Sequence, residues 1–152
     1  GSDAVVAKYD GEGNKVWVRL FGSPYSDYFL DIAAGSSGIF AGGAYVTVNL
    51  WDSDDAIVVK YDINGSAMGT AIVSTQYKYD HISGLSLDGS GNIYGVGTTD
   101  GAINGQQNQG QTDSFIVKYA PDHFVRSEEA FARIASMLEA LRALLQQLVK
   151  GF

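Results

Sequence analysis

One seven-residue stretch occurs three times in the chain: Asp3-Ala-Val-Val-Ala-Lys-Tyr9, Asp55-Ala-Ile-Val-Val-Lys-Tyr61 and Asp113-Ser-Phe-Ile-Val-Lys-Tyr119. Each copy opens on an acid, runs through small and apolar residues and closes on Lys-Tyr. The copies begin at residues 3, 55 and 113, a spacing of 52 and then 58 residues. That spacing belongs to architectures that stack one supersecondary unit on the next. Such a unit cannot bury its apolar faces alone, so each copy needs a neighbour.

The residues between the copies repeat an order. After Asp3–Tyr9 comes the turn Asp10-Gly-Glu-Gly-Asn14, whose Gly and Asn tolerate the positive φ of a tight reversal. A return strand follows at Lys15 to Phe21, with Trp17 in it. The loop Gly22-Ser-Pro-Tyr-Ser26 leads to a small-residue strand, Tyr28 to Ala34. The turn Gly35-Ser-Ser-Gly38 leads to a fourth strand, Ile39 to Thr47. Asn49 to Asp54 connects to the second unit. Its motif strand is Asp55–Tyr61, with a turn at Asp62-Ile-Asn-Gly-Ser66 and return strand Met68 to Ser74, where Gly69 stands in place of Trp17. Ser83 to Leu87, the turn Asp88-Gly-Ser-Gly-Asn92 and Ile93 to Thr98 complete that unit. A Gly/Gln/Asn-rich loop, Thr99 to Thr112, leads to the third copy. The fold expected is mainly β: two four-stranded units plus one extra strand, nine strands in all.

Strand chemistry suggests how the units pack. The motif strands are nearly continuous apolar runs, which suits sheets covered on both faces. Gly42-Gly43, Gly95 and Gly97 suit close approach of neighbouring sheets. A four-stranded unit repeated at a fixed period favours propeller blades over a β-sandwich.

The string from Asp3 to Trp17, followed by Phe21-Gly22, Tyr25, Asp27 and Gly35-Ser-Ser-Gly38, resembles the bacterial SBBP-type β-propeller repeat. Asp88-Gly-Ser-Gly-Asn-Ile-Tyr94 fits it well, and the resemblance spans about residues 3–119. It implies a propeller in which the small-residue strand is innermost, the motif strand third and the Trp strand outermost. It also implies an extracellular or cell-surface setting, and brings no shared catalytic residues. Two blades fall short of the ~4–8 that close a propeller.

Past Tyr119 the composition changes. Gly is absent between Gly110 and Gly151, and Ala, Leu, Glu, Arg and Gln take over, all strong helix formers. Pro121-Asp122 and Ser127 are start signals and Lys150-Gly151 a stop, so a helix is expected over 121–151. Phe131, Ile134, Leu138, Leu141, Leu145 and Leu148 recur by three and four, a heptad seam. A coiled-coil bundle between chains would bury it, and so would a lid on the chain's own strands or a membrane surface. The polar face is not strongly basic, which weighs against the last. The domains expected are a 3–119 propeller fragment and a 121–151 heptad helix.

These features point to a non-enzymatic structural module that completes a ring by cyclic homo-oligomerisation. A trimer is favoured and a tetramer is the other choice, with Lys15–Phe21 supplying the outer strand of a neighbour's last blade. Asp3–Tyr9 and Asp113–Tyr119 then compete for one third position. The alternative is a lectin-like or peptide-binding propeller that stacks a glycan or peptide on Tyr25, Tyr28, Tyr77 and Tyr79. A net charge of -7 argues against nucleic acid as partner, and no apolar run reaches the length of a membrane span. The chain has no Cys, hence no thiolate site. The Asp10, Asp62 and Asp88 turns echo the start of a calcium loop but lack its later Gly and distal Glu, and Asn64-Gly-Ser66 reads as a turn before a sequon. Neither a metal, a cofactor nor a catalytic residue is expected: His81 and His123 are isolated, and no Ser/His/Asp order or phosphate loop stands out. Gly1-Ser2 has the form of a tag-cleavage scar, which with the abrupt junction fits an engineered fusion as well as a natural chain.

Overall fold

The structure is a computed structural model, and it describes residues 1–46, 54–73, 75, 78–103 and 105–124. The expected helix, with Phe131, Ile134, Leu138, Leu141, Leu145 and Leu148, therefore lies outside the described residues. So does Tyr77.

Among the described residues the chain forms nine strands in three antiparallel sheets. The first sheet pairs β1 (Ala4–Tyr9) with β2 (Lys15–Phe21). The second runs β3 (Tyr28–Gly35), β4 (Gly38–Tyr45), β5 (Asp55–Tyr61) and β6 (Ala67–Val73), in that order. The third runs β7 (Asp80–Leu87), β8 (Ile93–Thr99) and β9 (Asp113–Tyr119). The strands thus divide two, four and three. Counted from Asp3 the sequence units run four, four and one. The order that the resemblance implies, with the small-residue strand first, the motif strand third and the return strand last, is the order of β3 to β6, and β7 to β9 are the three strands of the last unit. The regrouping follows from where the tight turns fall. β1 turns straight into β2 through Asp10–Asn14, whereas a loop carries the chain from β2 across to β3. The competition between Asp3–Tyr9 and Asp113–Tyr119 does not arise inside one chain, because β1 pairs with β2 and β9 pairs with β8.

Three hairpin turns share one design. The Asp10, Asp62 and Asp88 carboxylates accept from backbone N–H groups two and four residues on, at 2.7–3.0 Å. Gly13, Gly65 and Gly91 take φ of 85°, 78° and 80°, a conformation glycine adopts at no steric cost. These acids fold the turns, which is the work the sequence assigned to them ahead of calcium. The hydrogen bond from the Asn14 side chain is the main cause holding Asp10 below the ordinary aspartate range, and Asn92 does the same for Asp88.

The sheets stack through two apolar interfaces. Val6 and Trp17 of the first sheet meet Ile39, Ala41, Ile57, Val59 and Tyr61 of the second. The second sheet's other face presents Phe40, Ala56, Val58 and Ala71 to Ile82 and Ile93 of the third, and Phe124 closes that cluster. Only the middle motif strand, β5, is covered on both faces. In β1 and β9 buried or half-buried residues alternate with exposed ones.

The glycine expectation needs correcting. A Cβ on Gly42 would meet Ile82 of the third sheet at 2.8 Å, so this glycine does serve sheet–sheet approach. Gly43, Gly95 and Gly97 are instead crowded by their own sheets: Gly43 by Tyr28 and Phe29, Gly95 by Ile82 and Val117, Gly97 by His81 and Phe115. Gly43 and Gly97 sit where the facing strands bulge at Leu30 and Ser83, and the bulged backbone leans into the space a side chain would occupy.

The chain past β9 stays with the sheets at first. Pro121–His123 form a short 3-10 turn. Phe124 is buried edge-on against Phe40 and Tyr119, with centroids at 5.3 and 5.8 Å. Residues 121–124 therefore pack with the β core, on the far side of the boundary drawn between Tyr119 and Pro121.

Candidate assembly surfaces

Two faces of the stack are uncovered among the described residues, and the threefold motif supplies internal controls for both. Val58 on β5 points at the third sheet and is 1% exposed. The residue at the same motif position on β9 is Ile116, which is 74% exposed. On the opposite side, Ile57 and Tyr61 point at the first sheet and are 1% and 2% exposed; their counterparts on β1, Val5 and Tyr9, are 56% and 57% exposed. Each pair shares a motif position and an apolar or aromatic side chain. The strands differ in their neighbours: β5 lies between β4 and β6 and between two sheets, whereas β1 and β9 are edge strands with one face uncovered among the described residues. The outer face of the third sheet is thus the kind that covers a following sheet. The outer face of the first sheet is the kind that a preceding sheet covers.

Polar bonds repeat across the interfaces too. Lys8 Nζ donates to the Ile63 carbonyl at 3.3 Å, and Lys60 Nζ donates to the Pro121 carbonyl at 2.9 Å. Each acceptor lies two residues past the tyrosine of the next motif. At the first interface the Trp17 indole N–H also donates to the Ile63 carbonyl (3.1 Å). The Arg19 guanidinium donates to the carbonyls of Gly65 (2.7 Å) and Asn64 (3.1 Å). Trp17 lies against Gly65, where a Cβ would come within 2.8 Å of the indole. The second interface has Gly69 in place of Trp17 and takes Phe124 into its core instead.

Strand edges are open beside these faces. A cavity of about 280 Å³ flanks β1, with Leu30 and Ile32 exposed toward it. A groove of about 480 Å³ separates β9 from Ile72 and Val73 of β6. Unpaired edges next to apolar faces are sites for adding strands or sheets.

The tyrosines proposed as ligand platforms are partly brought together. The Tyr28 hydroxyl donates to Asp54 Oδ2 at 3.3 Å, and Asp54 bridges by backbone to Tyr79. Tyr28 and Tyr79 are both exposed. Burial pushes the Asp54 carboxyl up, opposed by the Tyr28 hydrogen bond, and pushes the Tyr28 phenol up, reinforced by the Asp54 charge. Tyr25 stands apart from them, in the loop against which Gly1 and Ser2 are hydrogen-bonded. His81 lies beside Thr98, and His123 stacks on Tyr119 at 4.7 Å.

Two buried acids escaped the sequence reading as structural residues. Asp27 accepts from the backbone of Ser23 and Val46. Asp80 accepts from the Thr75 N–H and hydroxyl, each at 2.8 Å. Each stands just before or at the start of the first strand of its sheet. Their shared place, next to Tyr28 in one copy and Tyr79 in the other, was the available signal. The chain matches no family model, and no curated protein is significantly similar to it.

Proposed function

We propose that the protein is a structural, self-assembling module, a β-propeller fragment whose copies close a ring around a common axis. The observation that carries this reading is the pair of uncovered faces, with Ile116 on one and Val5 and Tyr9 on the other exposed at motif positions that the middle sheet buries. The sheet order supports it: β3 to β6 form a simple meander of four strands, the form of a propeller blade. Six sheets, within the ~4–8 of closed propellers, are reached in two ways. Three copies can share a blade between neighbours, or two copies can each contribute three sheets. The heptad-patterned residues beyond Phe124 would bundle the copies, and no catalytic role is proposed for any residue.

Light scattering of the intact chain beside a form ending at Phe124 tests the reading. A ring gives a multiple of the monomer mass for the intact chain, and a smaller species or aggregate for the shortened form if residues 125–152 bundle. A monomeric intact chain refutes the proposal. The cut belongs after Phe124 because a cut at Ala120 would remove a core side chain.

A second reading, a glycan- or peptide-binding surface, is favoured by the exposed pair Tyr28 and Tyr79 flanking Asp54. Loss of signal on a glycan or peptide array in the Tyr28→Ala and Tyr79→Ala variants would support it.

A further inference from the structure

Lys60 and Lys118 occupy the same motif position and are held alike. Lys60 pairs with Phe40 across the β4–β5 ladder, and its ammonium lies over the Phe40 ring at 5.6 Å. Lys118 pairs with Tyr94 across the β8–β9 ladder, and its ammonium lies over the Tyr94 ring at 5.0 Å. From this perch Lys60 reaches the Pro121 carbonyl. Among the described residues Lys118 donates to no carbonyl. The rule that Lys8 and Lys60 obey fixes what it lacks: the carbonyl two residues past the tyrosine of the next motif strand. On the first sheet that residue is Gly11, following Tyr9.

We infer that a second copy of this chain docks head to tail, its first sheet lying on the outer face of the third sheet, with Lys118 Nζ donating to the Gly11 carbonyl of that copy. The inference rests on the ring reading above and specifies its interface. In this register Ile116 enters the pocket of Val5, Ala7 and Tyr9, the counterparts of the Ile57, Val59 and Tyr61 that receive Val6 within the chain. The contact is heterologous, since each copy offers two different surfaces, and two such contacts close a ring about a two-fold axis. Neither β1 nor β9 gives up its partner strand, so no strand is displaced. The alternative is that copies merge their end sheets into one blade. Lys118 would then face the Ile63 carbonyl of the neighbour's second sheet.

The chain has no Cys, so single cysteines report cleanly. Lys118→Cys and Gly11→Cys are prepared separately, refolded together and treated with a short bismaleimide. Gly11 has open space around an added Cβ and no left-handed φ. A covalent dimer in the mixture, and in neither variant alone, is the expected result. A dimer formed by either variant alone would mean like faces meet, and would overturn the inference. So would a Lys118→Cys mixture that links to Ile63→Cys in preference to Gly11→Cys. Light scattering on the same samples separates the two levels: an oligomer without the Lys118–Gly11 link sinks the interface but keeps the ring, while a monomer sinks both. Lys118→Met, which keeps the stem and removes the donor, should weaken self-association about tenfold or more. An unchanged dissociation constant contradicts the lysine's role.

Discussion

Trp17 offers the sharpest test of how the first sheet is held. Its indole is buried between the first and second sheets, rests on Gly65 and donates to the Ile63 carbonyl. Truncation to Ala removes a large apolar body from the cluster between the two sheets and leaves a cavity there, a loss of about 3–5 kcal/mol. Trp17→Phe keeps most of the bulk and removes the N–H. The Ile63 carbonyl is not orphaned, because Lys8 still donates to it at 3.3 Å. The cost of that variant is therefore one net hydrogen bond plus a small packing defect, about 1–2 kcal/mol. Urea unfolding followed by far-ultraviolet circular dichroism at one fixed protein concentration measures both. Equal losses for Phe and Ala would show that the hydrogen bond, not packing, holds the sheet. A loss under about 1 kcal/mol for Ala would show that the sheet does not dock through this residue.

Four other outcomes follow from the same structure. Val58→Lys buries a charge between the second and third sheets and should cost more than about 3 kcal/mol. Ile116→Lys at the same motif position should leave the chain's own fold within about 0.5 kcal/mol while reducing the mass seen by light scattering; a retained oligomer mass would count against the ring. Tyr61→Phe removes a buried hydroxyl that has no hydrogen-bond partner among the described residues and should raise stability by about 1 kcal/mol in urea titrations. Asp10 and Asp88 sit below the ordinary 3.8 in the folded state, chiefly through Asn14 and Asn92. Their contribution is complete above that value and lost as pH falls through their lowered folded values. Acid titration of Asp88→Asn should therefore show a shallower loss below about pH 4 than the parent chain. Asp54, raised by burial, runs the other way and favours the fold as pH falls.

The strands were readable because each hairpin turn announces itself. Asp10–Asn14, Asp62–Ser66 and Asp88–Asn92 pair an acid with a glycine of positive φ, and that chemistry is local. The grouping into sheets was legible only through the strand order that the resemblance implies, since turn chemistry does not say which strands meet after the loops. β7 starts at Asp80, three residues before the expected start at Ser83; the Thr75 contacts that bury Asp80 come from outside the strand. The continuous apolar pattern of the motif promised two covered faces. It delivers them only in β5, because coverage belongs to the neighbours and not to the strand. The lysine in each motif was visible from the start, but its acceptor lies on the next sheet, and only the fold reveals that regular partner. Of the tyrosines, Tyr28 and Tyr79 do meet around Asp54, while Tyr25 lies in the loop to which the N-terminal residues bond.

A pair of strands has little stability of its own in water, so the 4–21 hairpin owes its persistence to what it leans on. It behaves as an arm fastened by one aromatic latch and two cationic ties, all to the loop at residues 62–66. When that latch opens, the arm leaves while the remaining two sheets keep their shared core. Amide hydrogens of β1 and β2 should then exchange with solvent sooner than those of β4 and β5. A released arm also finds an identical berth on any other copy, which makes exchange of hairpins between molecules a natural failure of the fold at high concentration.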